Sequence, residues 1–161
     1  MELQDLIIKL ELSPLPVEGG MFRQTYLSKF LSDGRPMGTA IYYLLSKEAF
    51  SHLHLLDVDE TYHFYLGDPV ELYQLDETGN MTITTLGQDI VAGQQVQTIV
   101  PTGVWQGSRL APGGKWALLG TTTTPGYLDS GYTHADGQEL VSRFPQHADI
   151  IKKLTGDVRY T

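Results

Sequence analysis

An all-β sandwich or barrel is the fold class this sequence predicts, on three observations. From about residue 21 to 124, short runs rich in Val, Ile, Thr and Tyr alternate with turns made of Gly, Pro, Asp and Asn. Apolar residues at helical spacing are confined to the two ends of the chain. No repeat, linker or low-complexity tract interrupts the strand spacing, apart from the threonines at 121–124, which β-propensity explains.

The elements follow in order. Leu3, Leu6, Ile7 and Leu10 place a short amphipathic helix over about 2–11, ended by Pro14 and Pro16. Glu18-Gly19-Gly20 reads as a turn that introduces the first strand; no helix follows it to bind a phosphate. Strands are predicted at MFRQTYLS, TAIYYLLS, SHLHLL, ETYHFYL, VELYQL, MTITTL, QQVQTIV, VWQGSRL and KWALLGTTTT, with DETGN and RLAPGG as the clearest turns. Pro145 opens a terminal helix over about 145–154, where Ala148, Ile150, Ile151 and Leu154 give an apolar face before Gly156. A chain of 161 residues accommodates one such domain, spanning 1–161 with the barrel at about 21–124.

Composition narrows the functions. Nineteen acidic and eleven basic residues give a net charge of −8, and no basic run exceeds Lys152-Lys153, so the chain cannot follow a nucleic-acid backbone. No segment has the ~20 apolar residues of a membrane helix, and the amino terminus carries acids where a signal peptide carries positive charge, so the expected location is cytoplasmic. With no cysteine, chemistry falls to His, carboxylates, Tyr, Ser or a bound metal.

SHLHLLDVDETYHFYLGD at 51–68 holds the densest chemistry. Regular strand alternation places His52 and His54 on one face, about 7 Å apart along the backbone, with Leu53 and Leu55 on the other. A turn at 56–59 lets Glu60 face the same interior from the antiparallel partner, followed inward by Tyr62 and Phe64, while His63 points away. Two imidazoles and a carboxylate suit one divalent Fe, Mn, Ni or Zn ion; two solvated histidines on a polar face are the plainer alternative. Trp105 should face opposite to Gln106, Arg23, Arg109 and Lys115 are the cations nearest the barrel mouths, and His134 and His147 should face solvent.

His52, His54, Glu60 and Gly67, followed later by Pro101, Gly103 and Gln106, resemble the two sequence motifs of the cupin superfamily. VEGGMFRQTY at 17–26, AIYYLLS at 40–46, DETYHFYLGDPVEL at 59–72, VPTGVWQ at 100–106 and TPGY at 124–127 are similar to a small single-domain branch of it. The resemblance implies a double-stranded β-helix, the jelly-roll barrel, and a homodimer. Two positions depart from the pattern. Gln106 stands where typical metal-binding cupins have histidine, and an amide oxygen is the weaker ligand. Leu55 follows His54 where the narrower branch usually has arginine, and His52 is an addition. A bound metal and a metal-free pocket therefore both stay open.

Three functions follow as expectations. The first is binding of a small carbohydrate-like or oxo-acid ligand with isomerase or epimerase chemistry: His54 as base, Glu60 orienting it, Tyr62 as acid, and Arg23, Gln106 and Phe64 contacting substrate. The second is non-catalytic binding of a small ligand. The third is oxygen chemistry on a metal held by His52, His54 and Glu60.

Overall fold

The computed structural model describes residues 2–156. Helix α1 (Leu3–Lys9) leads into strands β1 (Ser13–Pro14), β2 (Met21–Leu27), β3 (Thr39–Ser46), β4 (Ser51–Leu56), β5 (Glu60–Gly67) and β6 (Val70–Leu75). Strands β7 (Met81–Leu86), β8 (Gln97–Val100), β9 (Trp105–Leu110), β10 (Trp116–Thr123) and β11 (Tyr132–His134) follow, then helices α2 (Gly137–Arg143) and α3 (Ala148–Leu154). Two antiparallel sheets face each other, in the orders β1-β2-β3-β10-β5-β8 and β11-β4-β9-β6-β7. This is the jelly-roll barrel.

Inward side chains of both sheets fill one end of the interior with Leu45, Tyr62, Phe64, Val70, Leu72, Leu86 and Leu119. Helices α2 and α3 cover the outside of the second sheet, where Leu140, Phe144, Ile151 and Leu154 pack on Leu53, Tyr73 and Leu75. Burial on both faces is why β4 shows no clean polar alternation. Helix α1 and the turn after it seal the outer face of the first sheet, with Leu6 and Leu12 on Leu44 and Leu118.

Two glycines are required by close approach. Gly67 has φ +100 where β5 leaves the barrel, and a Cβ there would strike the backbone of Trp116. Gly20 has φ +72, with the Tyr43 ring 2.8 Å from any added Cβ.

The predicted strands are present, with Gln97–Val100 shorter than the predicted run. The terminal helix divides: Pro145–His147 is a single 3-10 turn, and the α-helix begins at Ala148. Ahead of it lies α2, capped by the Asp136 carboxylate, which accepts from the backbone N–H of Gln138 at 2.8 Å and of Glu139 at 3.1 Å. Among the described residues no helix is long and apolar enough to cross a membrane.

Candidate functional site

A cavity of about 810 Å³ opens at the end of the barrel opposite the hydrocarbon filling. Three pieces of backbone build its rim. The loop 15–20 is tied by Gly19 N–H to Leu15 O and Leu15 N–H to Gly20 O, both at 3.0 Å, which aims Glu18 inward. Its Oε1 accepts from the Ser51 hydroxyl at 3.0 Å. Segment 124–132 crosses the mouth, held by Tyr127 N–H on Thr39 Oγ1 at 3.2 Å and by Gly126 N–H on Pro36 O at 2.8 Å. It contributes Tyr127, Asp129 and Tyr132. Arg35 locks the remaining loop, with its guanidinium 2.6 Å from Asp57 and 3.1 Å from Gly126 O.

Glu60, at the first position of β5, is buried against this cavity with 8% of its surface exposed. Burial pushes its carboxyl up to about 7, and the nearby negative charge of Glu18 adds to the shift; His54 and donation from Thr121 and Gln106 oppose it. Glu60 can therefore hold or release a proton near neutral pH.

His54 also lines the cavity. Its Nδ1 lies 2.7 Å from His52 O; a carbonyl only accepts, so Nδ1 carries the hydrogen and Nε2 is left for a ligand. The Tyr132 ring stacks on this imidazole with centroids 5.0 Å apart. The Tyr43 hydroxyl donates to Gly19 O at 2.9 Å, and burial raises it well above the ordinary tyrosine range. Burial likewise raises the Tyr127 hydroxyl, which bonds to Asp129.

Only part of the predicted set meets here. His54 and Glu60 do. His52 does not, because β4 carries a bulge: Ser51 pairs with Ser108 and His54 with Gln106, so three residues span what two span on β9. Alternation breaks at that point, and the His52 ring lies between Phe50 and His134 instead of lining the cavity. Tyr62 and Phe64 face inward but sit in the packed core, outside the cavity lining. The Tyr62 hydroxyl is buried without a hydrogen-bond partner beside Ser108, whose Oγ is also unpaired. Gln106 lies behind Glu60 and contributes its amide to it, with Oε1 unpaired.

Arg23 belongs to the rim, but its residue pairs with Tyr42 on the outer face. The guanidinium sits 5.4 Å over the Tyr42 ring and 3.1 Å from Glu11, away from any substrate position. His134 is exposed as expected, although its ring stacks on His52 at 3.9 Å between centroids, and His147 is half-buried, with Nε2 2.9 Å from Gly79 O. His63 is half-buried outside the barrel, between Thr122 and Gln97.

The residues missed from sequence are Glu18, Tyr127, Asp129 and Tyr132. Glu18 was hidden in a turn that also has a plain structural role. Tyr132-Thr133-His134 carries a strand period of two, a signal short enough to be overlooked.

The comparisons agree with this geometry. Residues 4–135 match the family described as Cupin superfamily (DUF985). The chain belongs to the cupin superfamily. A protein from Shewanella oneidensis is 32% identical to this cupin over 97% of this chain and 98% of its own, with a TM-score of 0.91. A hypothetical protein from Leishmania major is 27% identical over 98% and 100%, with a TM-score of 0.89. Bacillus subtilis oxalate decarboxylase, which has Mn(II) centres, shares the fold alone: 15% identity and a TM-score of 0.58, over 93% of this chain and 39% of the decarboxylase. No curated protein matches the sequence.

A metal in this cupin would need three or more convergent imidazole or carboxylate donors. Among the described residues no three His, Asp or Glu side chains are gathered so that they could hold one. The His52 ring is turned aside and Gln106 can add only a weakly ligating amide oxygen to His54 and Glu60, so the residues present do not fit a first-row ion.

Proposed function

We propose that this cupin binds a small carbohydrate-like molecule in the barrel mouth and moves a proton on it, as an isomerase or epimerase does, with His54 and Glu60 as the working pair. The observation that carries this reading is a carboxyl raised to about 7 beside an imidazole anchored through Nδ1 on His52 O, at the wall of a ligand-sized cavity. His54 Nε2 takes the proton from the carbon next to a carbonyl, and the C–H electron pair becomes the C=C bond of an enediol. The protonated Glu60 gives its proton to the carbonyl oxygen, leaving imidazolium opposite carboxylate. The imidazolium then gives its proton to the former carbonyl carbon, while the Glu60 carboxylate takes the proton of the other enediol hydroxyl, whose oxygen becomes the new carbonyl. Glu60 is thus an acid in its own right, beyond the orienting role expected from sequence, and Tyr62 has no part.

The test is exchange of substrate C–H for deuterium in D2O, followed by proton NMR over a panel of aldoses and ketoses. Wild type should exchange at least one of them, and His54→Ala or Glu60→Gln should slow that by about 10²–10⁴-fold. Undiminished exchange in both variants would sink the assignment. Ligands that raise the melting temperature without any exchange would leave a binding protein alone.

A further inference from the structure

The cavity has an unbalanced charge. Among the described residues Glu18, Glu60 and Asp129 line it together with His54, and the only Lys or Arg in the lining is Arg23, whose guanidinium lies outside on Glu11 and Tyr42. Among the described residues the Lys and Arg ion pairs are Arg23–Glu11, Arg35–Asp57 and Arg143–Glu139, none of them with a cavity carboxylate. Neutral donors hold those carboxylates instead: Ser51 on Glu18, Thr121 and Gln106 on Glu60, Tyr127 on Asp129. Such donors satisfy lone pairs and leave the charge of Glu18 and Asp129 uncancelled, while Glu60 is divided between its neutral and charged forms near pH 7.

A second feature stands in the same walls. Phe22, Tyr43, Tyr127 and Tyr132 line the cavity, so aromatic rings share it with three acids. Ring faces and carboxylates together are the recognition chemistry of an organic cation. An anion would meet repulsion from these carboxylates, with only the His54 imidazole, and no inward Lys or Arg head group among the described residues, to receive it.

We infer that the ligand of this cavity is a small organic cation, a protonated amine carried on a polar frame such as an amino sugar, and that carboxylate and phosphate ligands are rejected. This rests on the mouth cavity being the ligand site, as in the function proposed above, but not on proton transfer. It removes the oxo acids from the ligand classes expected from sequence.

The experiment compares three ligands of one ring frame and different charge: glucosamine, glucose and glucuronate. Binding to the intact protein is followed by ligand-observed NMR and calorimetry at neutral pH and low salt, with methylamine, choline and putrescine as further cations. Glucosamine should bind at least about tenfold more tightly than glucose, and glucuronate most weakly. The double variant Glu18→Gln and Glu60→Gln should reduce the preference for the cation, with circular dichroism confirming its fold. Glucuronate binding as tightly as glucosamine would overturn the inference, and so would failure of every amine at millimolar concentration. Amine binding without deuterium exchange would remove the proton-transfer reading and keep this one; exchange on an anionic substrate would do the opposite.

Discussion

Along the inner face of β5, Glu60 borders an open cavity while Tyr62 and Phe64, the next inward residues, are packed in hydrocarbon. One strand therefore passes from a ligand site to a solid core within two alternations, about 13 Å of backbone. At the packed end Val70, Leu72, Leu86 and Leu119 from both sheets fill the interior to closure. At the mouth the 15–20 loop and segment 124–132 stand over the opening and place acids and rings there. The contrast shows that a barrel becomes a site where loops, rather than opposing strands, supply its lining.

The packed end should yield the largest stability effect. Leu72→Ala removes a wholly buried side chain from the core and should cost about 2–5 kcal/mol in urea unfolding. A loss under about 1 kcal/mol would mean that this end is not the solid counterpart of the cavity.

Glu60 tests the mouth through pH. Its carboxyl moves from an ordinary 4.5 up to about 7 on folding, so the folded chain keeps a proton that the unfolded chain releases. This term is most favourable below about pH 4.5 and is lost as pH rises through about 7. Glu60→Gln lacks it, so the stability of the variant relative to wild type should rise by about 3 kcal/mol from pH 4.5 to 8, other groups cancelling in the difference. A difference that stays flat with pH would show that Glu60 is solvated like a surface acid.

Tyr62→Phe gives the smallest effect and sharpens the boundary between the two ends. Its hydroxyl is buried and unpartnered, so removal should change stability by less than about 1 kcal/mol, in the stabilising direction if in either, and leave deuterium exchange intact. Loss of exchange in a folded variant would move the site one step deeper along β5.

How much was legible depended on how local the signal was. Strands β3, β4, β6 and β7 have the boundaries their sequences predict, because each is a short β-prone run ended by turn residues, as DETGN ends β6. Glu60 and His54 were legible because they lie on consecutive strands of the chain, although those strands belong to opposite sheets. Strand β11 and helix α2 were not: β11 has three residues, and GQELVSR has one fully buried residue, Leu140, so neither shows a repeat that stands out.

The sequence by itself determined the barrel, the family and the pairing of one histidine with one glutamate, since each rests on period-two patterning and fixed short spacings. Tertiary structure alone decided which side chains face the cavity. The bulge that turns His52 aside exists only against β9, the outward lie of Arg23 only against Tyr42, and the charge of Glu18 reaches Glu60 only because a glycine loop folds onto the Tyr43 ring. These are contacts between residues distant in the chain, and local periodicity carries no information about them.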